Sequence, residues 1–239
     1  GAAAVAVLCV LGWWAYYMFA PVPLQTVSTL AETRTITLPD QTEIVLNRYS
    51  SLTYPERFRG KDRKVQLQGE AYFEVSKDAA HPFKVEAGAI IVQVLGTHFN
   101  VEAYPEDTQV KTTLLEGSVS VSLIGKAEES LILSPNESAI YNKDKKSLTL
   151  HTENNASEEI IWRNGTLLFK SIPLQEIVRQ LSNAFHTDIR IEDADLQNCM
   201  TATFSDGETL EEILSLLCRN QKFEYTKTND IITITQKLN

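Results

Sequence analysis

The chain has 239 residues, 43% of them hydrophobic, which is enough to bury a sizeable core in one or two domains plus a tail. Its net charge of -9, with only the short basic run Lys143 to Lys146 among turn residues, argues against nucleic acid as a partner. The three cysteines, Cys9, Cys199 and Cys218, include no C-x-x-C pair and are too few and too separated for a zinc site.

The first predicted element is apolar throughout. No charge occurs from Ala2 to Ala20, and as a helix this run rises roughly 28 Å, close to the hydrocarbon thickness of a bilayer. Trp13, Trp14, Tyr16 and Tyr17 crowd its C-terminal end, where amphipathic aromatics favour the headgroup zone, and Pro21 and Pro23 stop it. Residues 1–20 are therefore expected to be a transmembrane helix. A cleaved signal peptide is the rival reading, but its apolar core is usually shorter and lacks an aromatic girdle. No initiating Met and no basic leader precede the run, so the sequence is expected to begin inside a longer protein. Orientation cannot be read from Lys/Arg bias with one flank missing.

After Pro23 a short polar stretch leads to the β-branched strand Thr33 to Pro39, and strand candidates then follow at short intervals as far as residues 147–150. The densest pattern lies at residues 64–101. Val65 and Leu67 alternate with Lys64, Gln66 and Gln68, and Phe83 and Val85 flank Lys84, the period of a half-buried strand. Gly69, between candidate strands 64–68 and 71–75, and Gly96 mark places where a strand must turn, bulge or admit another backbone. No helix-period run lies between Val22 and His151. Residues 24–150 are thus expected to be a mainly β domain, either a sandwich or a solenoid-like roll.

Residues 151–161 read as a polar linker, and from Trp162 the hydrophobic period changes to about 3.6. Leu174, Ile177, Val178 and Leu181 form one stripe; Leu210, Ile213, Leu214 and Leu217 form another. Pro173 to Leu181 and Thr209 to Leu217 superpose at a shift of 36 residues. Each helix is preceded by a strand ending in Phe, at 166–169 and 201–204, and followed by an alternating strand, at 188–191 and 223–226. With a last strand at 231–235, residues 162–239 are expected to be a small α+β domain of duplicated βαβ units, both helices on one small sheet. Pro173 suits the first helix start, and Thr209 with Glu212 predicts a capping box for the second.

No catalytic motif is present. His81, His98, His151 and His186 are dispersed with no HExxH, no G-x-S-x-G and no Walker loop. His98 reads as a buried or structural imidazole. Glu70 and Glu74 would share a strand face, one at a turn and one at an edge. The triplets at Asn136, Asn155 and Asn164 are taken as turn residues, and Glu208, Glu211 and Glu212 as charges that favour a helix start. The chain is therefore expected not to be an enzyme, and no cofactor is implied. Cys199 opens the strand that ends near Phe204, and Cys218 ends the helix that begins near Thr209. Strand and helix run back along each other, which would bring the two thiols within disulfide reach; the alternative is a small core residue at Cys218 beside Leu214 and Leu217.

Gly69 to Val75 (GEAYFEV), Pro82-Phe83 and Val94 to Val101 (VLGTHFNV) closely resemble the periplasmic domain of the FecR family. Leu38 to Asn47, Leu114 to Val121 and Leu133 to Ala139 resemble its other strands. The family usually has Gly where this chain has Gln41, and often Gly-Gln at Asn136-Glu137. Gln tolerates a left-handed conformation poorly, so a different turn type is expected at Asp40-Gln41. Residues 162–239 are similar to the short signalling domain of secretins and TonB-dependent receptors.

The resemblance implies a single-pass inner-membrane anti-sigma factor and signal transducer with most of this chain in the periplasm. It implies two partners: the signalling domain of a TonB-dependent outer-membrane receptor, and an extracytoplasmic-function sigma factor reached through a cytoplasmic segment not in this sequence. Exposed strand edges within 162–239 are the expected docking place for the receptor. The alternative is an envelope structural or polysaccharide-binding module, for which Tyr49, Tyr54, Phe58 and Tyr104 are the candidate aromatic platform.

Overall fold

The structure, a computed structural model, describes residues 1–192, 199–219, 221 and 223–237. Helix α1 (Ala2–Phe19) opens the chain where the uncharged run predicts it. Among the described residues no helix is long and apolar enough to cross a membrane.

Thirteen strands follow, arranged as two sheets that share one strand. The front sheet runs β1 (Leu24–Ser28), β4 (Ser51–Pro55), β5 (Arg63–Glu74), β6 (Phe83–Ala87), β7 (Ile90–Val94), β10 (Val119–Leu123) and β11 (Lys126–Leu133). The back sheet runs β2 (Arg34–Thr37), β3 (Glu43–Leu46), β5, β8 (His98–Ala103), β9 (Gln109–Glu116), β12 (Glu137–Asn142) and β13 (Ser147–Thr152). The two candidate strands at 64–68 and 71–75 are one continuous β5. Its first half pairs with β4 and β6, its second half with β3 and β8. Gly69 makes the crossing: its φ is +88°, and a Cβ there would lie 2.7 Å from the Ser50 Cα.

Alternate residues of both sheets point into one core, where Phe73 and Phe99 stack at 4.9 Å and Phe83 meets Phe73 edge-on at 6.3 Å. Two local readings change. β1 forms in the polar stretch, zipped onto β4 at the sheet edge; almost all of it is exposed, so no apolar alternation announces it. Gln41 does take the left-handed conformation, with φ 67°. Asp40 holds it there, accepting from the Thr42 amide at 3.2 Å and from the Thr42 hydroxyl at 2.8 Å.

The segment read as a linker is in large part a 3-10 helix, Ala156–Asn164, capped by Asn155, with Ala156 and Trp162 buried. Beyond it come β14 (Leu167–Pro173), α2 (Leu174–Phe185), β15 (Asp188–Ile191), β16 (Cys199–Phe204), α3 (Leu210–Cys218), β17 (Phe223–Thr228) and β18 (Ile231–Gln236). Both helices bury the stripes that the sequence predicts, and Thr209 with Glu212 forms the full capping box. The expected single sheet is instead two. First strands pair with each other, β14 antiparallel to β16, while the second strands β15 and β17 flank β18. Like strands of the two copies thereby come together, and one core takes Phe169 and Phe204 from one sheet and Ile189, Phe223, Ile232 and Ile234 from the other.

Candidate functional site

The outward face of the back sheet is where the two halves of the chain meet. On β5, Glu70, Tyr72 and Glu74 alternate with the core residues Ala71 and Phe73, so strand geometry turns them away from the core. Register then places Tyr72, Asn100, Thr113 and Ser138 in one row, and Glu70, Glu102 and Lys111 in the next. On an uncovered sheet such residues would be solvated. Here Asn100, Thr113 and Ser138 are 3%, 1% and 0% exposed, because the 3-10 helix packs against β9 and α2 reaches across β8.

Glu70 and Glu102 sit directly opposite each other on paired strands. Asn47 Nδ2 donates to Glu70 at 2.7 Å and Asn100 Nδ2 donates to it at 2.8 Å. Burial, with the Glu102 charge added, pushes the Glu70 carboxyl up to about 8. Asn100 Oδ1 is buried without a partner. Turned over, that amide would offer Oδ1 to the Glu70 proton, the arrangement a neutral carboxyl calls for.

Two cations answer the remaining acids. Arg179, on α2, donates from Nη1 to Glu102 at 2.7 Å and to Asp107, and from Nη2 to Glu176 at 2.5 Å. Burial alone would lower its pKa, but Glu102 and Glu176 hold it far above the ordinary arginine range. Asn183 Nδ2 donates to Asp107 at 2.9 Å, and burial still leaves that carboxyl above its usual value. Lys111 lies 3.0 Å from Glu153 and 2.9 Å from Glu159, where burial holds Glu159 up despite the ammonium.

Four further contacts tie the halves. Arg48 pairs with Asp206 at 3.0 Å and lies 5.9 Å from the Phe185 ring centre; Arg163 lies 4.0 Å over Tyr72. Tyr49 stacks on His186 at 4.8 Å, and both adopt positive φ, 51° and 49°, a conformation that a non-glycine residue holds only when its surroundings enforce it. Between these contacts lies a cleft of about 380 Å³ whose lining includes Glu70, Glu102, Tyr104, Glu159, Trp162 and Lys170. Its chemistry is an excess of carboxylates over cations in a poorly solvated space. Such a balance responds to protonation, to salt and to the approach of a charged partner.

The residues singled out in the sequence fall as follows. Glu70 enters the junction buried, not at a turn, and Glu74 lies 3.7 Å from Arg163. His98 is not buried: its side chain is 42% exposed, 3.3 Å from Glu116. Tyr54 and Tyr104 are buried, Phe58 is half-buried against Phe83, and Tyr49 is occupied by His186, so these four form no exposed platform for a sugar. Among the described residues no group of three or more His, Cys, Asp or Glu could hold a metal ion.

Cys199 and Cys218 are free thiols rather than a disulfide. Pairing of β16 with β14 sets Cys199 opposite Pro173, exposed, whereas Cys218 closes α3 inside the core, where burial pushes its thiol up to about 11. The alternative, Cys218 as a core residue, is what the structure contains. Arg179, Asp107 and the Tyr49–His186 stack were not singled out in the sequence. The only signal was the choice of Asn, Thr and Ser over long charged side chains at the outward positions 100, 113 and 138.

The FecR protein family matches residues 25–120, and the FecR C-terminal family matches residues 166–234. No curated protein matches the chain. The chain is similar to two crystal structures, at 2.50 and 1.65 Å resolution, of a protein from Parabacteroides distasonis ATCC 8503 described as a candidate anti-sigma factor. Each is 28% identical, with a TM-score of 0.77, over 90% of this chain and 100% of that one.

Proposed function

Because the chain belongs to the FecR family, whose members are anti-sigma signal transducers, we propose that it relays the state of a TonB-dependent outer-membrane receptor to an extracytoplasmic-function sigma factor. In this reading α1 anchors the protein in the inner membrane, the β domain and the C-terminal domain stand in the periplasm, and a cytoplasmic segment meets the sigma factor. The observation that carries it is the junction. The C-terminal domain offers open strand edges at β15 and β17 and is joined to the β domain mainly by charge, through Arg179, Lys111 and Arg48. An edge offers unpaired N–H and C=O groups to an incoming strand, and an ionic junction can rearrange without dismantling either core.

The receptor's signalling domain therefore docks on the C-terminal domain, along an exposed strand edge. Trimming the chain after about Asn155 should abolish binding of that signalling domain while the β domain stays folded. Binding of the trimmed chain with unchanged affinity, measured by calorimetry, would move the site into the β domain and overturn this reading.

A further inference from the structure

Five carboxyls border the cleft between the two halves: Glu70, Glu102, Glu153, Glu158 and Glu159. The cations that answer them are shared. Lys111 divides its charge between Glu153 and Glu159, and Arg179 divides its own among Glu102, Asp107 and Glu176. Lys170 answers Glu158 at 2.8 Å, whereas Glu70 is held by the neutral amides of Asn47 and Asn100. With every one of these partners counted, negative charge remains in excess. Two other features share the cleft wall. Trp162 is 8% exposed there, and its buried indole Nε1 has no hydrogen-bond partner. A buried N–H without an acceptor is costly, and an indole can only donate. Thr166, Leu167 and Leu168 border the cleft in succession; successive residues of a strand point to opposite faces, so β14 meets the cleft with its edge. Among the described residues that edge carries no strand, because β14 pairs with β16 on its other side.

We propose that the cleft receives an extended segment of a partner protein, laid along the free edge of β14, with a lysine or arginine side chain of that segment entering among the carboxyls. The inference rests on the reading that a receptor's signalling domain docks on a strand edge of this chain, and it names the edge and the side chain. An incoming strand pairs with the unpaired N–H and C=O groups of β14. A main-chain carbonyl of the same segment is the acceptor that Trp162 Nε1 lacks, and its ammonium or guanidinium supplies the charge that Lys111, Lys170 and Arg179 leave short. A metal ion suits the cleft less well. Among the described residues no group of three or more acids converges to hold one, and an ion has no use for a strand edge or an indole N–H.

The test follows the indole N–H signals of the isotope-labelled full chain by nuclear magnetic resonance, the Trp162 signal being identified by its loss in Trp162→Phe. The probes are N-acetyl-lysine methylamide, which carries an ammonium and two peptide groups; N-acetyl-norleucine methylamide, which lacks only the ammonium; and putrescine, which has ammonium groups and no carbonyl. We expect the lysine probe to shift the Trp162 signal saturably and the norleucine probe to bind roughly tenfold more weakly or less. Glu158→Gln keeps the shape of a side chain at the cleft wall and removes one charge, and it should weaken the lysine probe roughly threefold. Equal shifts from the lysine and norleucine probes, or none from either, would overturn the inference and leave β15 and β17 as places for the receptor to dock. Saturation by putrescine at lower concentration than by the lysine probe would reassign the cleft to free amines and overturn the partner strand. Receptor binding that survives trimming after about Asn155 would overturn the docking reading without moving these signals, so the two fail separately.

Discussion

The core of the β domain and the junction that joins it to the C-terminal domain are built on opposite principles. The core is apolar: Phe73, Phe83 and Phe99 have no exposed surface, and their contacts need neither charge nor a particular pH. The junction buries Glu70 and Asp107 and half-buries Glu102 and Glu159 around Arg179 and Lys111, so its strength depends on its charges having their partners. Non-directional burial makes a frame, and a paired-charge surface makes a joint that changing conditions or a partner can open.

The largest effect should come from the frame. Phe99→Ala leaves a cavity beside Phe73 and should cost about 3–5 kcal/mol, lowering the thermal midpoint of the whole β domain. Next is the joint. Arg179→Ala leaves Glu102 and Asp107 without their cation and should cost about 3 kcal/mol, appearing as separation of the domains, seen by small-angle scattering, with both still folded. If that variant melts as one unit like Phe99→Ala, the contrast between frame and joint is wrong.

Proton uptake sharpens the contrast. The folded pKa of Glu70 is raised from 4.5 to about 8, so its contribution is fully present below about 4.5 and lost as pH rises through 8. Asp107 and Glu159, also raised, act in the same direction, whereas Glu153 and Glu176 are lowered and lose their contribution only as pH falls. Chemical denaturation should show stability falling between about pH 5 and pH 9, and Glu70→Gln should remove most of that slope. An unchanged slope in the variant would remove Glu70 from the account. Smallest is the cap: Thr209→Ala should cost about 1 kcal/mol, confined to α3 in hydrogen exchange.

Much of the frame was legible in the sequence, and little of the joint. Period-two alternation at Val65, Leu67, Phe83 and Val85 marks strands because each has one buried face, and the stripes at Leu174 and Leu210 mark helices for the same reason. β1 escaped because Val27 alone of its five residues packs against the core, which leaves no alternation to read. Gly69 was legible as a special backbone position but not as the place where one strand changes sheets, since that depends on Ser50 approaching from afar. The joint escaped because Glu102, Lys111 and Arg179 look like solvated charges until another domain covers them. The two-sheet pairing of the repeats was hidden too, because either pairing leaves the local pattern of each strand the same.

The central claim is that frame and joint are separable, and native-state hydrogen exchange on the full chain with Arg179→Ala tests it most directly. The account predicts faster exchange at the 3-10 helix Ala156–Asn164 and in α2, with the amides of β5, β8 and β9 as protected as in the native chain. Equal loss of protection in those strands would contradict it, because the charges would then be holding the frame itself together.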